Sequence, residues 1–181
     1  MKKKSIFKIT FSSIMIAMAM VLPFLTGQIP EIGAMLCPLH IPVIICGLIC
    51  GWKYGIITGF IVPVLRSLIF GMPPMYPTAI SMSFELATYG FVCGALFAIL
   101  EKKNIKLLAS VYITLIVAML LGRFMWGFVR YVIAIFDGSN VFTFKIFITS
   151  TFVSSWPGII LQLILIPTLI CILYRTKVIK K

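Results

Sequence analysis

The stretch "LLGRFMWGFVRYVIAIF", residues 120–136, is apolar apart from two arginines, Arg123 and Arg130. It closes a longer apolar run, residues 107–136, and a run of roughly 20 residues is already enough for an α-helix to cross the hydrocarbon core of a bilayer. The pattern predicts a transmembrane helix. Each arginine at depth costs about 2.5–3.5 kcal/mol on insertion scales, so we expect both to face a protein or water-lined interior.

The rest of the chain also has the composition of an integral membrane protein. Of its 181 residues, 61% are hydrophobic and only 11% are charged, and the mean hydropathy is +1.15, whereas a soluble domain is about 45–50% apolar. The basic start and long apolar run of residues 1–25 lack a clean cleavage site, so an uncleaved first span is expected rather than a signal peptide. We predict an all-α membrane protein, residues 1–181 forming a single domain. Its six-helix bundle has spans at about 9–25, 37–51, 54–70, 79–100, 107–136 and 144–174.

The net charge of +12 is explained better by membrane topology than by a nucleic-acid partner, because most basic residues lie at the ends of apolar segments. If the N-terminus is cytoplasmic, the only basic residue of the outer segments is Lys145. The inner segments then hold Lys2, Lys3, Lys4, Lys8, Lys53, Lys102, Lys103, Lys106, Arg175, Lys177, Lys180 and Lys181. Both termini are therefore expected in the cytoplasm of a multi-pass plasma-membrane protein, which agrees with an even number of spans.

The two arginines of the fifth span share one helix face with an aromatic residue. Trp126 and Gly127 stand between Arg123 and Arg130 at i, i+3, i+4 and i+7 spacing, which places all four on the same side of a helix. Arg123 lies near the middle of the membrane, too deep for easy snorkelling. Arg130 lies two turns further out and could instead reach the outer interface.

Polar residues of the other spans come to a similar depth on the outer side. Arg66 and Glu85 lie near the outer ends of the third and fourth spans, and Glu31 belongs to the first outer loop. The predicted substrate-binding residues are Arg123, Arg130, Trp126, Glu85, Arg66, Trp156, Gln162, Asn140 and His40.

Several of these residues have a plainer interpretation. Arg66 could snorkel to the interface, Trp156 could belong to an aromatic belt, and His40, between two prolines, could serve a turn or packing. Gln162 could bond a neighbouring helix.

The intramembrane charges do not balance, since three arginines face the single acidic residue Glu85. One arginine can pair with Glu85, and a remaining guanidinium can meet a ligand anion, a backbone carbonyl or water. A guanidinium binds a carboxylate or phosphate through two parallel hydrogen bonds, and tryptophan offers a flat apolar surface beside it. The pattern favours a small, partly apolar ligand with an acidic group.

The sequence gives no support to an enzyme. It has no GxSxG, HExxH or P-loop motif and no paired carboxylates. The five cysteines form no CxxC pair and no histidine completes a metal set with them, so they are expected to be small buried hydrophobic residues rather than metal ligands. No cofactor and no metal site is predicted.

Two segments carry a resemblance to a known family. The segment "CPLHIPVIICGLICGWKYGIITGFIVPVLRSLIFGMPP" (residues 37–74), followed by "ELATYGFVCGALFAIL" (residues 85–100), resembles the S components of energy-coupling factor (ECF) vitamin transporters. The likeness is greatest to the group that binds riboflavin, folate, pantothenate or hydroxymethylpyrimidine. It rests on a diffuse pattern of proline and glycine that covers nearly the whole chain.

The resemblance implies a bundle of six helices that binds a vitamin or vitamin precursor at its outer side. It also implies a membrane-embedded T subunit and two cytoplasmic ATPases as partners, whose ATP hydrolysis reorients the S component. The family's first helix commonly carries an AxxxA surface that packs on the T subunit. Here "SSIMIAMAM", residues 12–20, presents Ser13 and Ala17 instead, and two small residues one turn apart still allow close helix approach.

We therefore predict the substrate-binding subunit of an ECF importer, with pantothenate or folate as substrate. A self-sufficient ion-coupled carrier of a small organic anion, dependent on Glu85, is one alternative. The other is a membrane scaffold that binds no ligand and tolerates Arg123→Ala.

Overall fold

The computed structural model describes residues 2–26, 35–138, 147–149 and 155–176. These residues form helices, with no β-strand among them. The main helices are α1 (Lys2–Val21), α2 (His40–Cys50), α3 (Trp52–Phe70), α4 (Ile80–Lys102), α5 (Leu107–Phe136) and α6 (Trp156–Arg175). A short 3₁₀ helix, Leu22–Thr26, extends α1, and a π-helical turn, Met75–Ala79, leads into α4.

The prediction of an all-α membrane protein is confirmed. Five helices are long and apolar enough to cross a membrane, namely α1, α3, α4 with its preceding turn, α5 and α6. The third, fourth and fifth predicted spans match α3, α4 and α5 within a few residues, whereas α1 begins earlier than residue 9. The last predicted span, residues 144–174, extends over residues outside the described ranges, and α6 begins at Trp156.

The second predicted span is shorter than expected. Helix α2 has 11 residues and begins at His40 rather than at Cys37, because Cys37 has a φ of 48° and the chain turns there before the helix starts. A helix of this length rises only about 16 Å, about half of the hydrocarbon core. The count of six spans therefore stays a prediction.

Helices α1, α2 and α3 follow one another in alternating directions. The thiol of Cys46 contacts the hydroxyl of Ser12 at 3.3 Å, and Cys50, one turn later in α2, contacts the carbonyl of Lys8, one turn earlier in α1. Between α2 and α3 the chain reverses at Gly51, whose φ of 91° suits a residue without a Cβ.

Helix α4 is the centre of the bundle and packs against α2, α3 and α5. Gly55 of α3 and Gly90 of α4 lie so close that a Cβ on either would overlap the backbone of the other, and a Cβ on Gly47 of α2 would come within 2.7 Å of the Gly90 carbonyl. Small residues allow this approach of helix backbones. Among the described residues, the largest fully buried apolar side chains are Tyr89, Ile44, Leu86, Leu115, Ile166 and Ile170.

The alternating helix directions divide the polar residues between two ends of the bundle. The site end gathers the C-terminal ends of α1, α3 and α5 and the N-terminal ends of α2, α4 and α6. The basic end carries Lys8, Lys53, Lys102, Lys103, Lys106 and Arg175. There, the hydroxyl of Tyr174 donates a 2.9 Å hydrogen bond to Glu101, which joins α6 to α4.

Candidate functional site

Glu85, on the second turn of α4, is the centre of a buried polar cluster at the site end. Its Oε1 lies 3.2 Å from Nη1 of Arg123, 3.4 Å from Nε2 of His40 and 3.4 Å from the hydroxyl of Tyr89. All four residues are buried, with Glu85 and His40 each only 2% exposed. Helices α2, α4 and α5 each contribute to the cluster, whose charges on Glu85 and Arg123 cancel.

The cluster forms because α4 and α5 approach each other closely. The ring of Tyr89 lies against Gly122, where an added Cβ would come within 2.9 Å of the ring. Gly122 directly precedes Arg123, so the same contact brings the guanidinium to Glu85. The ring of Tyr89 also packs edge-on against His40, with ring centroids 5.1 Å apart and an interplanar angle of 73°.

Arg123 is thus the arginine that pairs with Glu85, which the sequence could not determine. Its Nη2 also lies 3.6 Å from the sulfur of Cys37, a buried residue at the turn before α2. The guanidinium therefore ties α5 to α4 and to the start of α2. A buried cation with two such contacts is compensated within the protein.

For a neutral His40, the contact with Glu85 determines which ring nitrogen carries the hydrogen. The Glu85 carboxylate beside Arg123 is a hydrogen-bond acceptor, so Nε2 of a neutral His40 carries the hydrogen and donates it to Oε1. The other ring nitrogen, Nδ1, is then an acceptor. It is buried and has no hydrogen-bond partner among the described residues.

Arg66 lies apart from this cluster, between α1 and α3. Its Nη1 donates a 3.0 Å hydrogen bond to the carbonyl of Met20, and its guanidinium lies 5.9 Å from the ring of Phe24 and 5.1 Å from that of Phe70. The carbonyl and the two aromatic faces account for this buried cation. A contact between Arg66 and substrate stays a prediction.

Arg130 and Trp126 form a second feature on α5. The guanidinium carbon of Arg130 lies 5.7 Å from the centre of the Trp126 ring. The ring of Phe147 also stacks on Trp126, with ring centroids 6.5 Å apart and an interplanar angle of 23°. Gly127 makes room for the Phe147 ring. Arg130 lies seven residues beyond Arg123, or about 10 Å along the axis of a helix.

The remaining predicted residues have different positions. Gln162 of α6 is buried, whereas Trp156, the first residue of α6, is 58% exposed and does not join the buried polar residues. Gly158 packs against the backbone of Met35 and Leu36, and Trp156, two residues earlier, points roughly to the opposite side of the helix. A contact between Trp156 and substrate stays a prediction. Asn140 and Glu31 lie outside the described residues.

Sequence reasoning missed Tyr89, which belongs to the cluster, and Cys37, which contacts Arg123. Tyr89 stands four residues after Glu85, so the helical i, i+4 spacing could have indicated it. Cys37 was interpreted only as a small hydrophobic residue, and nothing in its local sequence predicts a contact with Arg123. In the described part of the chain, no three residues among His, Cys, Asp and Glu come together as a metal site.

A bundle of membrane-length apolar helices with a buried cluster of ionisable groups defines a multi-pass membrane protein with a polar site inside it. The family model for the substrate-specific component of ECF transporters matches residues 7–170, and the chain belongs to this family. It is a transport-binding subunit of the plasma membrane and not an enzyme. Members of the family bind a small substrate and associate with T and ATPase modules. No curated protein and no solved structure matches the chain.

Proposed function

We propose that this S component captures an acidic vitamin or vitamin precursor, pantothenate or folate, at the outer face of the membrane. A T subunit and two cytoplasmic ATPases then drive its delivery inward. The observation that carries the proposal is the buried Glu85 cluster with Arg123, His40 and Tyr89. Burying a charge pair contributes little to stability by itself, and ionisable residues inside a membrane protein usually mark a ligand or ion site.

The acidic group of the substrate is assigned to Arg130. Arg130 lies on α5 two turns beyond Arg123, toward the site end of the bundle. Its guanidinium lies against Trp126, and this pair offers a fork of donors beside a flat aromatic surface. The ring would cover an apolar part of the ligand.

The basic end of the bundle supports an outward-facing site. The lysines at this end are expected in the cytoplasm by the positive-inside rule, which places the site end, with Glu85 and Arg130, toward the outside. In this topology α2 is a short span packed against α4, both termini are cytoplasmic, and the bundle has six spans. The charge distribution is the support for this arrangement.

The exposed side of α1 is the proposed contact with the T subunit. Ser13 and Ala17 lie one turn apart on this side, both exposed, and the hydroxyl of Ser13 is bonded to its own helix at the carbonyl of Ile9. A small, internally satisfied surface suits close packing of another helix.

The test is the identity of the small molecule that heat denaturation releases from the detergent-purified protein, determined by mass spectrometry. We expect a stoichiometric acidic vitamin from the wild type, less of it from Arg130→Gln, and an unchanged amount from the control Arg175→Gln at the basic end. A neutral ligand, or an acidic one retained fully by Arg130→Gln, would overturn the assignment of the anion to Arg130.

Reconstitution tests the energy source. Proteoliposomes with the S component, the T subunit and both ATPases should take up the released vitamin in the presence of ATP, and those with the S component alone should not. Uptake by the S component alone, driven by an ion gradient, would favour the secondary-carrier alternative.

A further inference from the structure

Among the residues that the structure describes, contacts to the Glu85 carboxylate reach only one of its two oxygens. Arg123, His40 and Tyr89 all contact Oε1, and Oε2 accepts no hydrogen bond from any residue that the structure describes. A carboxylate has about four acceptor positions over its two oxygens. The internal donors therefore leave half of the carboxylate available to an external donor.

Nδ1 of His40 is a second hydrogen-bond acceptor close to Glu85. In neutral His40, Nε2–H donates to the Glu85 carboxylate, which leaves the lone pair on Nδ1. Nδ1 is buried in a side chain that is 2% exposed, and it has no partner within the described ranges. Leaving a buried acceptor unsatisfied is unfavourable, and a bound ligand that donates a hydrogen bond would relieve it.

From these two acceptors we propose that the substrate carries N–H or O–H donors at the end opposite its acidic group, and that Glu85 Oε2 and His40 Nδ1 bind them. This inference rests on the proposed function and specifies its substrate class. The separation of about 10 Å between the levels of Arg123 and Arg130 on α5 matches an elongated molecule with an anion at one end and a donor group at the other. A simple fatty or aromatic acid does not meet both requirements.

Two substitutions of His40 separate a ligand contact from a structural one. His40→Gln places an amide where Nε2 stands, so it can still donate to Glu85 but has lost the acceptor at Nδ1. His40→Asn places its amide oxygen near the position of Nδ1, so the acceptor is kept and the donor to Glu85 is lost. If His40 accepts a hydrogen bond from the ligand, His40→Asn should bind the vitamin more tightly than His40→Gln. If His40 only donates to Glu85, the order of the two affinities should be reversed.

Pantothenate and folate are the probes, with binding to wild type and both variants measured by isothermal titration calorimetry in detergent. His40→Gln should weaken binding of the vitamin about 10-fold or more, whereas His40→Asn should stay within about 3-fold of wild type. Thermal unfolding without ligand shows whether each variant is folded. Nonanoate, an acid of similar length to pantothenate without donors, should bind the wild type at least about 10-fold more weakly than the vitamin.

The outcomes distinguish a failure of this inference about the donors of the substrate from a failure of the proposed function. If a vitamin binds but His40→Gln binds it as tightly as wild type, or His40→Asn is the weaker variant, the inference is overturned while the proposed function stands. Equal affinity for nonanoate and the vitamin overturns it in the same way and needs only the wild type, should the variants not fold. If neither vitamin binds the wild type, the proposed function fails and the inference fails with it.

Discussion

The pairing of Glu85 with Arg123 predicts a strong energetic coupling between two helices. The charges are 3.2 Å apart and both side chains are nearly inaccessible, with 3% and 10% of their surfaces exposed. At an effective dielectric constant of about 20 the attraction is about 5 kcal/mol. This agrees with the roughly 3–5 kcal/mol that removal of one partner of a buried pair costs, since the other charge is left uncompensated.

The two single substitutions should differ in size. In Arg123→Met, the isolated carboxyl group of Glu85 can be neutralised by a proton, which limits the loss. In Glu85→Gln, the guanidinium of Arg123 keeps its charge. We therefore expect Glu85→Gln to be the more destabilising, at about 3–5 kcal/mol, and Arg123→Met to cost less. The double variant should be much less destabilised than the sum of the two.

A double-mutant cycle measures this coupling. Equilibrium unfolding of the four proteins with sodium dodecyl sulfate in mixed micelles, followed by tryptophan fluorescence, should give a coupling energy of about 2 kcal/mol or more. The half-buried hydrogen bond between Tyr174 and Glu101 at the basic end is the matched control, and Tyr174→Phe should cost only about 1 kcal/mol. If the effects of the two substitutions are additive within about 0.5 kcal/mol, the charges of Glu85 and Arg123 are not coupled and the prediction is wrong.

Three further predictions concern the packing of α3 against α4, the contact with the T subunit and the turn before α4. Gly90→Ala should lower stability by about 1–3 kcal/mol or more in the same unfolding assay, because its Cβ has no space between the backbones of α3 and α4; a loss no larger than that of Thr88→Ala on the same helix would contradict this packing. Ala17→Trp should abolish co-purification with the T subunit but retain the vitamin, whereas Met18→Trp, on an exposed surface about 100° around α1 from Ala17, should preserve both; equal behaviour of the two variants would place the contact elsewhere. Tyr76→Phe removes an exposed hydrogen bond to Asp137, the residue after α5, and should change stability by less than about 1 kcal/mol, so a larger loss in thermal unfolding would show that this contact holds the turn before α4 in place.

The membrane class and the family could be inferred from the sequence because they depend on properties that add up along the chain. Apolar runs of span length and the positions of the lysines need no knowledge of how helices pack. The family match over residues 7–170 confirms the resemblance seen in the proline and glycine pattern. The short helix α2 escaped this reasoning because the turn at Cys37 depends on a backbone conformation that hydropathy does not report.

The sequence predicted the region of the candidate site but not the contacts within it. Arg123 and Glu85 were expected at similar depth, yet depth does not specify which arginine meets the carboxylate. The rotation of α5 against α4, set by Gly122 on the ring of Tyr89, decides it. Arg66 was also expected at similar depth, but it meets the carbonyl of Met20 instead.

The sequence by itself determined that this protein is a helical S component in the membrane with more buried arginines than acidic groups. The tertiary structure decided that Arg123 pairs with Glu85 and that Nδ1 of His40 has no hydrogen-bond partner within the described part of the chain. The physical reason is that hydrophobicity and charge act through the composition of each segment, whereas hydrogen bonds require donor and acceptor atoms within about 3 Å. Only the packing of helices brings such atoms together.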